Sequence, residues 1–355
     1  MRNLYWNDLV SLVDGKKLNY QPVGFIVDSP WIPGWYGIST IDYYSSDKLW
    51  FESNLKVVNT FPDVWFMPSF WSEFGMCTEP SAFGSRLIFL ENTLPHAEKI
   101  LADIADADRL PQPNVKTDGL LPFMVNRLKR NEDAIKKADH NIRFAVARGP
   151  LNIASFLLGT TEFMVALALD PDGSHRLLRK ITGFICDWIA WQKECFPSID
   201  GVLILDDIIG FVGEAEFSEF VVPYFRKIFS STNAKVRFLH NDADGLITAR
   251  NLKEMGVNTF NFSYNHSMDK IRELSGQGII LIGNIPPRDV MALGTREQVT
   301  NAVKKAFSEI KDYDRIIWSV GGGMPPDVSS ENIKAFINAV RNCSQITLLK
   351  NSQSG

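Results

Sequence analysis

His240 is the residue in this chain whose neighbours most clearly offer chemistry. The stretch from 235 to 263 reads KVRFLHNDADGLITARNLKEMGVNTFNFS, so an alternating apolar run leads to His240, and Asn241 and Asp242 follow it. An imidazole beside carboxylates can ligate a metal, carry a proton or polarise a substrate oxygen. The pattern makes His240 a candidate catalytic residue, Asp242 a candidate metal ligand and Asn241 a candidate binding residue.

The segments around His240 predict a strand, a helix and a second strand. Apolar residues recur at helical spacing over 246–255, Gly256 ends that pattern, and a second apolar run covers 259–263. Such a unit is a right-handed parallel crossover, and parallel α/β folds bind ligands where their strands end. His240 is therefore expected at a functional edge of the sheet.

The rest of the chain repeats this alternation of strand and helix. Eight strands predict a single (β/α)8 barrel over residues 1–345, with an N-terminal helical extension, an insertion after the second strand and a tail at 346–355. The predicted strands are 22–27, 64–67, 142–147, 201–205, 236–240, 259–263, 279–282 and 315–320.

Polar residues and glycines follow most of the other predicted strands. Alone, each is as well explained by a helix cap or a solvated loop. In the pair Asp206–Asp207, one side chain should enter the barrel mouth while the other caps a helix, and both are kept as catalytic candidates. Gly321 to Gly323 either allow close backbone approach to a ligand or form a bare turn. The remaining candidates are Asp28, Arg148, Tyr264, His266 and Asn284.

Composition excludes several function classes. The net charge of -4 and the pI near 5.8 give no basic footprint for nucleic acid and no polybasic run for a membrane surface. The N-terminal residues do not resemble a signal peptide, and no apolar stretch has the length of a membrane span, so a cytoplasmic protein is predicted. The four cysteines lie far apart, which predicts neither a disulfide framework nor a thiolate zinc knuckle.

Aromatic residues are concentrated in two predicted loops near the first two strands. The loops contain PGWYG and PSFWSEFG, where large rings need a ligand, a partner or one another. We therefore expect Trp35 and Trp71 to shape a substrate pocket at the barrel mouth.

Five segments taken together resemble the uroporphyrinogen decarboxylase superfamily, which also contains cobalamin-dependent methyltransferases. In order they are FPDV, RGPLNIASFLLG, LDDIIGFVGEAEFSEFVVPYFRKIF, the stretch from HNDADG to REQV, and GGGMPPDVSSENI. The resemblance covers most of residues 20–340 and implies the same barrel fold.

Departures from the decarboxylase pattern make uroporphyrinogen an unlikely substrate. The resemblance implies an arginine pair after the first strand that holds porphyrin carboxylates, but PVGFIVDSPWIPGWYG contains no cation there. It also implies a catalytic aspartate that maps to Asp63, and a tyrosine where this chain has Phe156. Without cations, a polyanionic porphyrinogen lacks pairing groups.

Departures from the methyltransferase pattern concern its zinc. The resemblance implies a histidine and two cysteines as ligands, but only His240 is kept, with Asp242 and Gly321 to Gly323 at the cysteine positions. If a metal binds, the resemblance allows a set rich in oxygen ligands, drawn from His240, Asp242, Asp206 or Asp207, and Glu214. Zinc in such a set would be suited to polarising an ether or hydroxyl oxygen. The alternative is that His240 hydrogen-bonds a substrate oxygen without metal.

The resulting hypothesis is a methyltransferase component that moves a methyl group between a small O- or N-methyl substrate and a partner corrinoid protein. Methoxylated aromatic compounds are one substrate class it allows. His240 with Asp206 or Asp207 would polarise the leaving heteroatom. The binding residues would be Asn241, Asn284, Trp35, Trp71, Tyr264 and Gly322. Two alternatives stay open: a decarboxylase-like lyase acting on a small acid, and a non-catalytic corrinoid- or tetrapyrrole-binding homologue.

Overall fold

Eight parallel strands form one curved sheet, around which the rest of the fold is built. A computed structural model describes the backbone of residues 1–353 and the side chains of residues 1–345. Neighbouring strands pair in the order β2-β1-β8-β7-β6-β5-β4-β3, so the predicted (β/α)8 barrel is confirmed. The strands are β1 Val23–Ile26, β2 Val64–Met67, β3 Phe144–Arg148, β4 Gly201–Leu205, β5 Val236–Asn241, β6 Thr259–Phe262, β7 Ile280–Ile285 and β8 Ile316–Val320.

Helices surround this sheet and follow its strands in sequence. They are α1 Asn3–Val13, α2 Ile32–Tyr36, α3 Thr40–Ser45, α4 Asp47–Thr60, α5 Thr78–Ala82, α6 Leu121–Lys137, α7 Pro150–Leu158, α8 Thr160–Leu169, α9 Pro171–Cys195, α10 Glu214–Glu216, α11 Val222–Ser230, α12 Leu246–Met255, α13 Met268–Ser275, α14 Arg296–Glu309 and α15 Ser330–Gln353. Shorter turns are the 3-10 segments Ile104–Arg109 and Ile208–Phe211 and the π segments Phe217–Val221 and Pro287–Ala292.

Three helical segments differ from the sequence-based prediction. The sequence predicts one continuous helix over 153–169, and this prediction is wrong, because Gly159 adopts φ +103° between α7 and α8, and the two helices are bent by 109°. The predicted first loop contains the short helix α2. Helix α15 begins at Ser330 and runs on to Gln353, through residues that were predicted as tail, and residues 354–355 lie outside the described part.

Alternation along each strand decides which side chains enter the barrel and which face the helices. The interior cluster contains Val146, Leu203 and Phe238, whereas Ile204 and Leu239 belong to the larger cluster under the helices. The same alternation carries past the strand ends, so the residues two positions further on also point into the barrel mouth. This periodicity selects the polar groups that form the site.

Helix α1 closes the N-terminal end of the barrel. It buries Trp6, Leu9 and Leu12 in the interior cluster, and the Trp6 ring meets Phe144 edge-on with 5.4 Å between ring centroids. Burial of each such side chain contributes about 1.5–3 kcal/mol. Because this end is filled, the opposite end of the barrel is the accessible one.

A long insertion between β2 and β3 reaches over the open end. Residues 68–75 and 77–83 are buried, although the sequence predicts a loop there. Within the described residues, no single helix has the length and hydropathy of a membrane span, although the bent pair α7 and α8 passes the same test when joined.

Candidate active site at the barrel mouth

Three side chains from β4 and β5 converge at the C-terminal end of the barrel. The Nε2 atom of His240 lies 3.6 Å from Asp207 Oδ1 and 3.9 Å from Asp242 Oδ2. One ligand atom from each of the three residues lies within 4.8 Å of the others. We call Asp207, His240 and Asp242 the donor cluster. Its spacing fits a cation held by one nitrogen and two oxygen atoms.

Asn261 fixes the orientation and tautomer of His240. Its Nδ2 atom donates to the carbonyl oxygens of Ile282 (2.9 Å) and Val320 (3.2 Å), so its Oδ1 atom must face His240 Nδ1, 2.7 Å away. A carbonyl oxygen accepts only, so Nδ1 carries the proton and Nε2 presents its lone pair to the donor cluster. Metal-ligating histidines are oriented by such a partner.

The carboxylates of the donor cluster are themselves ordered by backbone groups. The backbone N–H of Asp242 donates to Asp207 Oδ1 over 3.0 Å. Burial raises the pKa of Asp242, His240 lowers it and the neighbouring Asp207 raises it again. Two acidic groups this close repel each other when both are ionised, and a cation between them would remove that repulsion.

A different set of groups lines the other side of the mouth. The side chain of Arg148, at the end of β3, is 6% exposed, and its guanidinium carbon lies 5.7 Å from the centre of the Trp71 ring. Its backbone N–H donates to Glu79 Oε1 over 3.0 Å. Glu73 accepts from the backbone N–H groups of Ser29 and Gly75. We call Arg148, Trp71, Glu73, Glu79 and Asp28 the arginine wall.

The carboxyl groups of the arginine wall favour protonation. Burial, followed by repulsion from Glu73, raises the pKa of Asp28 to about 7, although Arg148 opposes the shift. Burial also raises the pKa of Glu73 and of Glu79. At neutral pH the arginine wall therefore carries fewer negative charges than its composition indicates.

A cavity of about 190 Å³ lies between the donor cluster and the arginine wall. It is lined by Asp28, Arg148, Asp207, His240 and Asp242 together with backbone and apolar groups. The apolar side chains on its surface are Ile26, Pro30, Met76, Leu94, Leu205 and Met324.

Asp206 and Asn241 are corrections to the predicted site, because alternation turns both out of the barrel. Asp206 is fully buried, and its Oδ2 atom accepts from the backbone N–H groups of Leu151 (2.9 Å) and Asn152 (3.2 Å) at the start of α7. Burial raises its pKa to about 8. Asn241 hydrogen-bonds Thr248 and the loop after β5. Asp206 therefore caps α7, a helix that precedes it in the chain.

Asn284, Tyr264 and Gly322 lie around the mouth and not in the cavity wall. Asn284 donates through Nδ2 to the carbonyl oxygen of His266 over 2.6 Å, which braces the loop after β6. Tyr264 is 43% exposed. A Cβ atom at Gly322 would lie 3.0 Å from Asp242 Oδ2 at φ +137°, so a side chain there would press on the donor cluster. Gly323 is the glycine that lines the cavity.

Most of the loop aromatics are packed among themselves. Trp35 packs against Trp31 and Phe61 with its ring tilted relative to both, and it donates from Nε1 to Ser330 Oγ over 3.0 Å. The structure therefore does not bring Trp35 to the pocket, because α2 directs it toward the start of α15. Trp71 reaches the site through its contact with Arg148.

Asp63, the position to which a decarboxylase aspartate mapped, lies at the wrong end of the barrel. It immediately precedes β2, its side chain is 59% exposed, and it pairs with Arg341 over 2.6 Å. It cannot act at the mouth.

Sequence reasoning missed Asn261 and the glutamates, and it left Asp28 and Arg148 as unassigned strand-end residues. Alternation would have found three of these, because Asn261, Asp28 and Arg148 share the inward phase of their strands. No periodic signal marks Glu73 or Glu79, which lie in the irregular insertion.

Comparison with known proteins identifies the family of this chain. Residues 35–343 match the family model described as uroporphyrinogen decarboxylase (URO-D). The uroporphyrinogen decarboxylase of Chloroherpeton thalassium is 24% identical over 272 residues, covering 74% of this chain and 75% of that protein. The Homo sapiens enzyme is 23% identical over 281 residues, covering 75% and 74%.

A solved structure described as a methyltransferase from Methanosarcina mazei has the same fold. It superposes with a TM-score of 0.78 at 18% identity, covering 94% of this chain and 97% of that one. At that identity the likeness concerns the fold. Because the family model spans most of the sequence, the chain belongs to the uroporphyrinogen decarboxylase family.

Proposed function

We propose that this protein is a methyltransferase that moves a methyl group between a small O- or N-methyl substrate and the cobalt of a corrinoid carried by a partner protein. The observation that carries the proposal is the His240 Nε2 lone pair, fixed by Asn261 and directed at two carboxylates beside a small cavity. Such a set fits the activation of a heteroatom that must leave with an electron pair.

The donor cluster fits a divalent cation, for which zinc is the proposed ion. His240, Asp207 and Asp242 would hold it as three protein ligands. A bound zinc would supply Lewis acidity toward the substrate heteroatom. The oxygen-rich donor set, with no cysteine in it, suits an oxygen or nitrogen leaving group better than a thiol.

The protein's own residues have separate parts in this reaction. Asp207 and Asp242 place carboxyl oxygens beside His240, and the apolar side chains of the cavity wall suit the methyl group. The carbon–heteroatom bond breaks with its electron pair on the heteroatom, while the methyl group passes as a cation equivalent to reduced cobalt. Asp28, with a pKa of about 7, is the cavity-lining group that can give the heteroatom its proton.

Size and charge argue against uroporphyrinogen as the substrate. The cavity of about 190 Å³ is smaller than the roughly 300–1,000 Å³ of pockets that hold drug-sized ligands. Its wall carries one arginine and three aspartates. A macrocycle with many carboxylates would meet more repulsion than pairing there.

The test is methyl transfer by the purified, zinc-loaded protein to free cob(I)alamin, followed by the visible spectrum of methylcobalamin. We expect turnover with methoxybenzoates or small N-methyl acids and about one equivalent of zinc. Spectral change that persists at the same rate in His240→Ala would contradict the proposal. A corrinoid-binding protein encoded beside this chain would be the expected physiological partner.

The proposed location is the cytoplasm. The free thiols at all four cysteines agree with it.

Decarboxylation of a small acid is the second candidate. Asp28 favours it, because a cavity-lining carboxyl with a pKa of about 7 can protonate the carbon from which carbon dioxide leaves. Carbon dioxide release without corrinoid would select this activity. Binding of a corrinoid or tetrapyrrole with neither reaction would select the non-catalytic alternative.

A further inference from the structure

Arg148 is a buried cation without a counter-ion in contact. Its side chain is 6% exposed, and in the described part of the chain no carboxylate oxygen lies within 4.0 Å of its guanidinium nitrogens. Its side chain contacts the face of Trp71, and the neighbouring carboxyl groups act on it only from a longer range. Removing a guanidinium from water without pairing it is costly, and such a group is normally compensated by an anion.

The free guanidinium lines the same cavity as the donor cluster. Arg148, Leu205 and His240 occupy matching register positions on β3, β4 and β5. Two strand spacings separate Arg148 from His240, which is about 10 Å between their Cα atoms. Both side chains point inward, so a small molecule held at one end by Arg148 would place its other end at the donor cluster.

We propose that Arg148 anchors the carboxylate of the substrate, which is therefore a small monocarboxylic acid carrying its methyl group on a distant oxygen or nitrogen. This inference rests on the proposed function and specifies its substrate class. A planar guanidinium matches a carboxylate through two parallel N–H···O bonds. The apolar side chains that also line the cavity suit a hydrocarbon or aromatic body.

A single negative charge fits the cavity better than a double one. Asp28, Asp207 and Asp242 also line it, so a dianion such as phosphate would meet more repulsion than a carboxylate. Burial leaves Asp28 with a raised pKa, so it can remain protonated beside a bound monoanion.

The experiment measures binding of benzoate and of its neutral isostere benzamide to metal-free protein by titration calorimetry. Metal is removed because a carboxylate can also ligate zinc. We expect benzoate to bind roughly tenfold or more tightly than benzamide, since a charge-assisted hydrogen bond contributes about 1.5–3 kcal/mol. Arg148→Met should remove this preference, and Arg148→Lys should keep part of it.

The matched control is Arg179→Met, an exposed arginine on α9, which should leave both affinities unchanged. Thermal melting without ligand reports whether Arg148→Met folds. Equal binding of benzoate to wild type and Arg148→Met, or binding of inorganic phosphate in preference to benzoate, would overturn the inference.

The two proposals fail in different ways. Arg148-dependent benzoate binding without methyl transfer would leave the carboxylate anchor intact and remove the methyltransferase. Methyl transfer from neutral methoxy compounds that is unchanged in Arg148→Met would keep the methyltransferase and remove the anchor.

Discussion

The donor cluster and the arginine wall face each other across one cavity, and each is incomplete in the opposite sense. The donor cluster offers a lone pair and two carboxyl groups, which suit a cation, whereas Arg148 offers a cation without a contacting carboxylate. The two lie only two strands apart, with Leu205 between them in the register, and Arg148 acts on Asp242 only at longer range. A small ligand with an anionic group at one end and a heteroatom at the other would suit both.

The two walls also differ in how they are built. Regular strand ends supply the donor cluster, so its positions follow from strand phase. The arginine wall depends on the insertion after β2, which contributes Trp71, Glu73 and Glu79. This contrast leads us to expect that substitutions in the donor cluster alter metal content, while those in the arginine wall alter ligand choice and pH dependence.

The largest effect should come from His240→Ala. Loss of the only nitrogen ligand should reduce bound zinc from about one equivalent to almost none, and methyl transfer by at least roughly 100-fold. Elemental analysis and the methylcobalamin assay measure both. His175→Ala on α9, where His175 pairs with Tyr224 and Glu219, is the control that should keep its metal. Full zinc occupancy in His240→Ala would refute the donor cluster as a metal site.

A smaller loss is expected from Asn261→Leu, because this change removes the group that orients His240. Such supporting partners typically affect metal affinity by about 10–100-fold. Competition with a chromophoric chelator gives the zinc affinity. Asn258→Leu is the comparison, since Asn258 also binds backbone groups but lies before β6 at the closed end of the barrel. If both variants lose affinity equally, the effect is on folding and not on the tautomer.

Substitution of the adjacent residues Asp206 and Asp207, one at a time, should separate effects on stability from effects on metal binding. Asp206→Ala removes the cap of α7 and should lower the free energy of unfolding by about 0.5–2 kcal/mol with zinc unchanged. Asp207→Ala should lose zinc affinity with a smaller stability change. Denaturant titration measures the free energy of unfolding of both variants, and elemental analysis measures their zinc content. Zinc loss in Asp206→Ala with none in Asp207→Ala would reverse the assignment.

A pH dependence of stability should originate in the arginine wall. The pKa of Asp28 is raised from 3.8 to about 7 on folding, so the folded chain binds this proton more tightly than the unfolded chain. The free energy of unfolding should therefore fall as pH rises through that interval. Asp28→Asn removes this fall. The Tm of the variant minus the Tm of the wild type should therefore increase as the pH rises from about 5 to about 8.

The control for this measurement is Asp63→Asn, at the opposite end of the barrel and paired with Arg341. A parallel Tm profile for wild type and Asp28→Asn would show that Asp28 ionises normally in the folded protein.

Much of the site could be predicted because it lies on strands. His240, Asp207 and Asp242 were identified from an apolar run that ends in polar residues, and the structure brings all three together. Asp206 and Asn241 were chosen with them, because the prediction used nearness to a strand end and ignored phase. Trp35 was misplaced for another reason: an unrecognised helix, α2, redirects its ring.

The sequence by itself determined the alternation of strands and helices, the end of the barrel that carries polar groups, and three residues of the donor cluster. These follow from local periodicity, which a single chain displays directly. Only the tertiary structure decided that Asn261 sets the tautomer of His240, that Asp206 caps a helix more than fifty residues earlier in the chain, and that Arg148 is buried without a contacting carboxylate. Those properties depend on pairings between distant segments, and in particular on an insertion whose irregular backbone carries no period from which they could be inferred.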